Sequence, residues 1–161
     1  PYIEQTTLGE YVYRHLPEQV VELPESSWGN GGKHYVWLNP ETEWFWPYIY
    51  EAESLMEETC LKFSQSGGLV REILNQAGRE LLLLQSSDWP FLVTTGQAKD
   101  YAVERFLLHY QRFKQLIDIL FKNEWDNKET VNYLRQVEDS DNPFAEIDYH
   151  LFTPREPITK K

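Results

Sequence analysis

The sequence predicts an all-α protein, a helical bundle of three long helices with short helices packed around it. Apolar residues recur at intervals of three and four along three long segments, which is the period of an amphipathic helix. The alternation typical of a strand extends over no more than a few residues anywhere. Since 161 residues is close to the most common domain size, we expect residues 1–161 to form a single helical domain.

The first predicted helix is short. Thr7 is placed to cap a helix through Leu16, and Glu10 stands at the capping-box position three residues later. Pro17 and Pro24 interrupt the next stretch of chain, because proline removes a backbone donor. We therefore expect a short helix and then an arm.

The first long helix is expected after a glycine-rich stretch. Asn39 is a candidate N-cap, and Pro40 would occupy the first helical position, where its missing N–H costs nothing. Pro47 lies about two turns further on and predicts a kink or a restart near Trp46. The apolar face beyond it consists of Ile49, Ala52, Leu55, Met56, Thr59 and Phe63. Residues 64–68 are expected to end this helix.

Three more helices are predicted. The apolar period from Leu69 to Leu84 indicates the second long helix, and its last turn is apolar nearly all round, so we expect that end to be deeply buried. Thr95 is expected to cap the longest helix, which continues to about Asn123. A last helix is predicted over residues 128–138, and after it an ordered strap with a frayed end.

Charge and composition exclude several classes of partner. With 15 basic against 26 acidic residues, the net charge of −11 repels nucleic-acid phosphates and anionic lipid headgroups, so we expect no nucleic acid and no membrane as partners. The longest apolar run has four residues, whereas a membrane span needs about 20. The single cysteine, Cys60, allows no intramolecular disulfide and is expected to be a buried, inert thiol. We expect a cytoplasmic protein.

No motif for a metal or a cofactor is present, and we expect neither. The four histidines stand far apart, with no obvious carboxylate partner at metal-ligand spacing. His109 falls near the apolar stripe of the longest helix, which favours a hydrogen-bonded core histidine. The glycine spacing in GNGG fits neither a dinucleotide fingerprint nor a P-loop. Acidic residues are so abundant that no single pair indicates acid–base catalysis.

Two stretches rich in tryptophan stand out, SSWGNGGKHYVWLN (residues 26–39, the glycine-rich loop) and SSDWPF. Both place Trp beside Ser and a turn residue, where a ring can be partly exposed on a fixed backbone. A pyranose presents C–H groups on its faces and hydroxyls on its rim, so its site needs flat aromatic platforms with polar groups at the edge. Trp28, Trp37 and Trp89 are candidate platforms, and Asp88 is a candidate acceptor for sugar hydroxyls.

Structural roles are the alternatives for these residue types. Asp88 can instead be the N-cap of a short helix with Pro90 in its first turn. Trp44 and Trp46 are expected to pack against neighbouring helices, and Trp125 is expected to close the C-terminal end of the longest helix. The residues by themselves predict a helical domain with an aromatic loop site and little more.

Three motifs together carry a family resemblance. They are the glycine-rich loop with the subsequent IYEAE, the run LLLLQSSDWPFLVTTGQAKDYAVERF, and DNPFAEIDY near the end. With these motifs the sequence resembles the C-terminal helical domain of glycoside hydrolase family 57 1,4-α-glucan branching enzymes and related α-amylases. The resemblance spans nearly the whole chain, from TTLGEYV to DNPFAEIDY.

This resemblance implies a parent enzyme whose catalytic (β/α)7 barrel precedes the domain and supplies a Glu nucleophile and an Asp acid/base. Such enzymes cut an α-1,4-glucan and transfer the released segment to a 6-hydroxyl, with retention through a covalent glycosyl intermediate. The implied partners are α-glucans (glycogen, amylose and malto-oligosaccharides) and the parent's own barrel. This chain contains no catalytic residue of that family, so alone it is expected to be inactive.

The resemblance also implies roles for individual residues. The implied glucan contacts are Trp28, Trp37, Asp88 and Trp89. The implied loop-shaping residues are Gly29, Gly31 and Gly32. A parent barrel predicts an exposed apolar surface with the loop near its edge, and the absence of an initiator Met before Pro-Tyr-Ile-Glu also favours a piece of a longer protein. The alternatives are a domain of a family 57 α-amylase or 4-α-glucanotransferase, or an acidic helical module that binds a protein and no sugar.

Overall fold

The computed structural model describes residues 3–154, and these residues form six α-helices. They are α1 (Leu8–Arg14), α2 (Phe45–Lys62), α3 (Gly68–Leu84), α4 (Asp88–Thr95), α5 (Lys99–Lys122) and α6 (Lys128–Ser140). Short 3-10 segments add Asn30–Gly32 and Tyr149–Phe152. No residue between 3 and 154 lies in a strand. The prediction of an all-α bundle built on three long helices is confirmed.

The N-terminal helix α1 has the predicted cap. Thr7 Oγ1 accepts a hydrogen bond from the Glu10 amide, and the Glu10 carboxylate accepts one from the Thr7 amide. The helix ends at Arg14, two residues before the predicted Leu16. Because Leu16 precedes a proline, its backbone disfavours the helical region. Every described residue up to position 26 is exposed, so this arm adds nothing to the core.

Helix α2 begins at Phe45, five residues later than predicted. Asn39 and Pro40 open a tight turn instead, in which the Asn39 carbonyl accepts from the Glu43 amide at 2.8 Å. Pro47 is then the third residue of α2, where its missing N–H is one of the first four that have no intrahelical partner. Because residues 39–44 form no helix, the predicted kink or restart near Trp46 is instead the start of α2.

The longest helix, α5, lies at the centre of the bundle and packs against α2, α3, α4 and α6. The predicted apolar stripes face one another across it. Fully buried side chains include Phe45, Met56, Ile73, Leu74, Leu84, Phe106, Phe113, Leu116, Ile117 and Leu120. Cys60 is also fully buried, and burial raises the pKa of its thiol to about 11, as expected for an inert cysteine.

The end of α3 is only half buried, which corrects the prediction of deep burial all round. Leu81 and Leu84 face the core, whereas Leu82 is 36% exposed. Leu82 lines a surface cavity together with Phe144 and Phe152.

Thr95 does not cap the longest helix, which is a second correction. It is the last residue of α4, and its hydroxyl donates to the Phe91 carbonyl at 2.9 Å. Gly96, with a φ of +70°, ends α4, and Ala98 holds the N-cap position of α5. The difference arises because residues 88–95 form a helix of their own, α4, so that α5 can begin only after the turn at Gly96.

After α6 the chain crosses back over α3 as a strap. Arg79 of α3 donates hydrogen bonds to the carbonyls of Pro143 (3.0 Å) and Ala145 (3.1 Å). A Cβ at Gly78 would lie 2.7 Å from the Phe152 ring, so this glycine permits the close approach. The strap thereby closes one side of the bundle.

The remaining tryptophans of the helices pack as expected. Trp44 stacks on Phe45 with ring centroids 4.1 Å apart, and Trp125 meets Phe63 edge-on at 6.3 Å near the end of α5. Trp46 is half-buried beside the loop. None of the helices within residues 3–154 is long and apolar enough to cross a membrane.

Candidate functional site

The glycine-rich loop is closed on itself by hydrogen bonds. The Ser27 amide donates to the Gly32 carbonyl at 3.1 Å, and the Ser27 hydroxyl accepts from the His34 amide at 2.7 Å. Gly29, Gly31 and Gly32 have φ values of +77°, +72° and +71°, a region that residues with a Cβ rarely adopt. The three glycines therefore allow the chain to fold back within a few residues.

Asn39 and Thr94 fasten the loop to α4. The buried Asn39 side chain donates to the Tyr35 carbonyl and to Thr94 Oγ1, both at 2.8 Å. The Thr94 hydroxyl in turn donates to the Val36 carbonyl at 2.8 Å. The loop is thus held in a fixed position on α4, although it has no regular secondary structure beyond one 3-10 turn.

Two of the predicted tryptophans and the predicted aspartate come together at one place. Trp28 is 71% exposed, and its ring lies 6.3 Å from Trp37 and 6.1 Å from Phe91. Helix α4 contributes Phe91 together with Ser87 and Asp88. These five residues line a cavity of about 210 Å³, the Trp28 cavity. Loop and helix, separated by some fifty residues of sequence, therefore form one surface.

Asp88 is the first residue of α4, and Ser87 holds the N-cap position. The alternative in which Asp88 itself is the N-cap is wrong, although Pro90 does fall in the first turn as that alternative required. The Asp88 carboxylate is exposed and makes no hydrogen bond to any residue between 3 and 154. It is therefore free to accept hydrogen bonds at the rim of the Trp28 cavity.

Trp89 faces the opposite way, towards the helices. Its indole N–H donates to the Leu83 carbonyl at 2.7 Å, and its ring stacks on His109 with centroids 6.2 Å apart. It does not line the Trp28 cavity. This geometry favours a packing role, and the role of Trp89 as a sugar contact stays a prediction.

Phe91 is the aromatic residue of the cavity that the sequence did not indicate, and Ser87 was not predicted either. Phe91 stands three residues after Asp88, which places both on the same side of a helix. The three-residue spacing of Asp88 and Phe91 indicates a shared face only if the segment SSDWPF is known to be helical.

A larger depression adjoins the Trp28 cavity. This Trp46 groove has a volume of about 720 Å³. It is lined by His34, Trp37, Leu38, Glu43, Trp46, Pro47, Tyr50 and Ser87. Trp37 and Ser87 line both depressions and therefore form the wall between them.

A buried polar cluster, Glu80, His109 and Asp141, joins α3, α5 and the start of the strap. Glu80 Oε2 lies 2.8 Å from His109 Nδ1, and the other Glu80 oxygen accepts from Gln76 at 2.9 Å. On the far side of the imidazole, Arg105 donates to His109 Nε2 at 3.0 Å. Because Nε2 accepts, the proton is assigned to Nδ1, which donates to Glu80. His109 is the predicted hydrogen-bonded core histidine.

These three residues have the composition of a metal site, and the sequence showed no such grouping. Their ligand atoms lie within 4.8 Å of one another, yet the residues are 29 and 32 positions apart along the chain. The spacing along the sequence therefore gave no sign of the two carboxylates that lie beside His109 in the structure. Arg105 and Arg112 both form ion pairs with Asp141, so two guanidinium groups already supply the positive charge that a cation would bring. Glu80, His109 and Asp141 are therefore better explained as a closed structural network of hydrogen bonds and ion pairs.

A helical bundle with a fixed loop that brings Trp28 and Trp37 together is a helical domain with a candidate binding surface. Residues 48–152 match the family model described as "1,4-alpha-glucan branching enzyme, C-terminal". The chain belongs to this family. The resemblance identified from the sequence is confirmed.

Similar sequences carry the same name. The chain is 40% identical over 146 residues to a 1,4-alpha-glucan branching enzyme of Thermococcus kodakarensis, a match that covers 90% of this chain and 22% of the relative. It is 34% identical over 124 residues to a probable 1,4-alpha-glucan branching enzyme of Mycobacterium tuberculosis, covering 71% of this chain and 23% of the relative. The chain thus spans less than a quarter of the length of these relatives.

Crystal structures of three similar proteins contain the same fold. A family 57 branching enzyme of Thermococcus kodakarensis, in complex with glucose and additives, superposes with a TM-score of 0.84 at 38% identity, covering 97% of this chain and 28% of that one. A branching enzyme of Pyrococcus horikoshii gives 0.81 at 38% identity (99% and 30%). The α-amylase AmyC of Thermotoga maritima gives 0.74 at 31% identity (94% and 27%).

Proposed function

We propose that this chain serves as the glucan-binding C-terminal domain of a cytoplasmic 1,4-α-glucan branching enzyme. The parent enzyme cleaves an α-1,4-glucan on a catalytic barrel outside this chain and transfers the segment to a 6-hydroxyl with retention of configuration. The role of this domain is to hold the glucan, and the chain alone has no activity. In the cell this places it in glycogen biosynthesis.

The observation that carries the proposal is the Trp28 cavity. Moving a tryptophan ring out of water lowers the free energy of the folded protein, yet Trp28 is 71% exposed. The loop that carries it is fastened by Asn39, so the exposure is built into the structure and does not reflect an unfastened segment. An exposed ring in a fixed position is available for a ligand or for another domain.

The chemistry of the cavity suits a sugar. The Trp28 and Phe91 rings, tilted by 43° to each other, offer apolar surfaces to the C–H faces of pyranoses. Asp88 supplies a carboxylate acceptor for hydroxyl groups at the edge. By covering the bound glucan, the two loop tryptophans would also exclude the water that turns transfer into hydrolysis.

The test is the Trp28→Ala variant of the full-length parent, assayed for new α-1,6 branches on amylose. We expect branch formation to fall about tenfold or more, because one stacked ring contributes on the order of 1 kcal/mol beyond its buried area. The melting temperature should change little. Trp125→Ala is the matched control, since this tryptophan packs at the other end of α5 and should lower stability without a selective loss of transfer.

Two results would count against the proposal. A Trp28→Ala enzyme that loses stability in proportion to its activity would assign the ring to packing. A parent that releases reducing ends without forming branches would instead assign the domain to a hydrolase, the alternative represented here by the similar α-amylase structure.

A further inference from the structure

We propose that the Trp46 groove is a second glucan-binding site, separated from the Trp28 cavity by the ring of Trp37. This inference rests on the proposed function, because it assigns the same class of ligand to the neighbouring depression. The groove has about 720 Å³, within the range of about 300–1,000 Å³ found for ligand pockets.

Two aromatic rings form the floor of the groove. Trp46 and Tyr50 stand one helical turn apart on α2, with ring centroids 6.1 Å apart and planes inclined by 35°. The Trp46 indole N–H donates to the Trp37 carbonyl at 3.3 Å, which fixes the orientation of the ring. Tyr50 is 59% exposed. Two rings placed one helical turn apart are suited to the apolar faces of neighbouring sugars in one chain.

Polar groups stand at the edge of these rings. The Glu43 carboxylate forms no hydrogen bond or ion pair with residues 3–154, and Ser87 and His34 also line the groove. The combination of an aromatic floor and an acidic rim repeats the chemistry of the Trp28 cavity, where Trp28 and Asp88 take the corresponding parts. Glu43 gives the groove one charged hydrogen-bond acceptor beside two rings, the pairing that a ligand with apolar faces and hydroxyl groups requires.

The position of Trp37 explains why two depressions would be useful. Its ring faces Trp28 on one side, and the residue lines the Trp46 groove on the other. An enzyme that transfers a glucan segment must hold both the chain that is cut and the chain that receives the segment. Two depressions divided by one side chain provide adjacent places for two glucan segments.

The experiment uses this chain labelled with ¹⁵N and titrated with maltotriose, a sugar short enough to occupy one depression at a time. Indole N–H signals of Trp28 and Trp46 report the two sites separately in nuclear magnetic resonance spectra. We expect both signals to shift, each with its own saturation curve. In Tyr50→Ala, the dissociation constant from the Trp46 signal should rise about tenfold, while that from the Trp28 signal changes less than about twofold.

Matched variants complete the design. Trp28→Ala should leave the Trp46 signal responding as in the wild type, and Tyr13→Ala, which removes an exposed tyrosine from the arm, should change neither curve. A Trp46 signal that does not shift overturns the proposal whatever Trp28 does. Equal weakening of both curves in Tyr50→Ala also overturns it, since that result means one continuous site. The proposed function is judged independently by the branching assay of the parent.

Discussion

The buried polar cluster and the glycine-rich loop both contain side chains in unfavourable surroundings, and they differ in whether those side chains have partners. Glu80 and His109 are fully buried, where a charge is costly, but each faces a hydrogen-bonding partner within the protein. Trp28 is exposed, and its outer face has no partner among the described residues. The completed network indicates a structural role, and the incomplete ring cluster indicates a binding role.

The largest effect is expected from removing one member of the cluster. Glu80→Ala leaves the His109 Nδ1–H and the Gln76 amide without their acceptor in a fully buried position. Breaking a buried charged network in this way costs about 3–5 kcal/mol in the free energy of unfolding. Urea-induced unfolding monitored by circular dichroism measures it.

Glu57→Ala is the control for that substitution, because Glu57 is an exposed carboxylate on α2 and should change the free energy of unfolding by less than about 0.5 kcal/mol. A Glu80→Ala loss below about 1 kcal/mol would show that the cluster is not a closed structural network. Such a result would remove the distinction between the two regions and would make the cluster a candidate functional site.

A smaller loss of stability is expected at Asn39, a buried polar residue that fastens the exposed loop to α4. Asn39→Ala removes the hydrogen bonds to Tyr35 and Thr94 and should cost about 1–3 kcal/mol in the free energy of unfolding. Because the loop would no longer be fixed on α4, maltotriose affinity at Trp28 should fall as well.

Asn132→Ala, an exposed asparagine on α6, is the matched control and should change neither quantity. If Asn39→Ala lowers stability but leaves the affinity at Trp28 unchanged, the loop does not need its anchor to bind sugar. The fixed position of the ring would then no longer support a binding function.

The helices were predictable because their signals are local. The Thr7 capping box and the apolar stripe of α5 act within a few residues of sequence. Asn39 and Thr95 were both predicted as N-caps because their side chains are typical of that position. In the structure Asn39 instead donates a hydrogen bond to Thr94, and Thr95 donates one to Phe91 at the end of α4. The local sequence pattern therefore predicted that the long helices exist more accurately than it predicted where they begin.

The candidate site was predictable in part. The residue types of Trp28, Trp37 and Asp88 carried the signal for a sugar, and the structure brings these three together. The sequence could not show that Trp89 turns inward while Phe91 turns outward, because the rotation of α4 is set by its packing on α5. The buried cluster was invisible for a similar reason, since its members lie on three separate elements.

The smallest effect is expected from an exposed pair on the strap, and it depends on pH. His150 Nδ1 lies 2.6 Å from Asp148 Oδ1. This hydrogen bond lowers the pKa of Asp148 below its usual 3.8. The same bond, with a second from the His150 ring to the Ser64 carbonyl, raises the pKa of His150 above its usual 6.5. The pair therefore stabilises the strap while Asp148 is ionised and His150 is protonated.

The sign of the pH dependence is set by these two shifts. The Asp148 contribution is present above about pH 3.8 and is lost as pH falls, whereas the His150 contribution is present below about pH 6.5 and is lost as pH rises. Asp148→Asn should therefore lower the melting temperature most near pH 5 and least near pH 8. Asp118→Asn, which removes an exposed pair with Lys122 and involves no histidine, should show no such change between these values. An Asp148→Asn effect of equal size at both pH values would mean that Asp148 acts through its contacts with Arg71 and with the His150 amide, and not through the His150 ring.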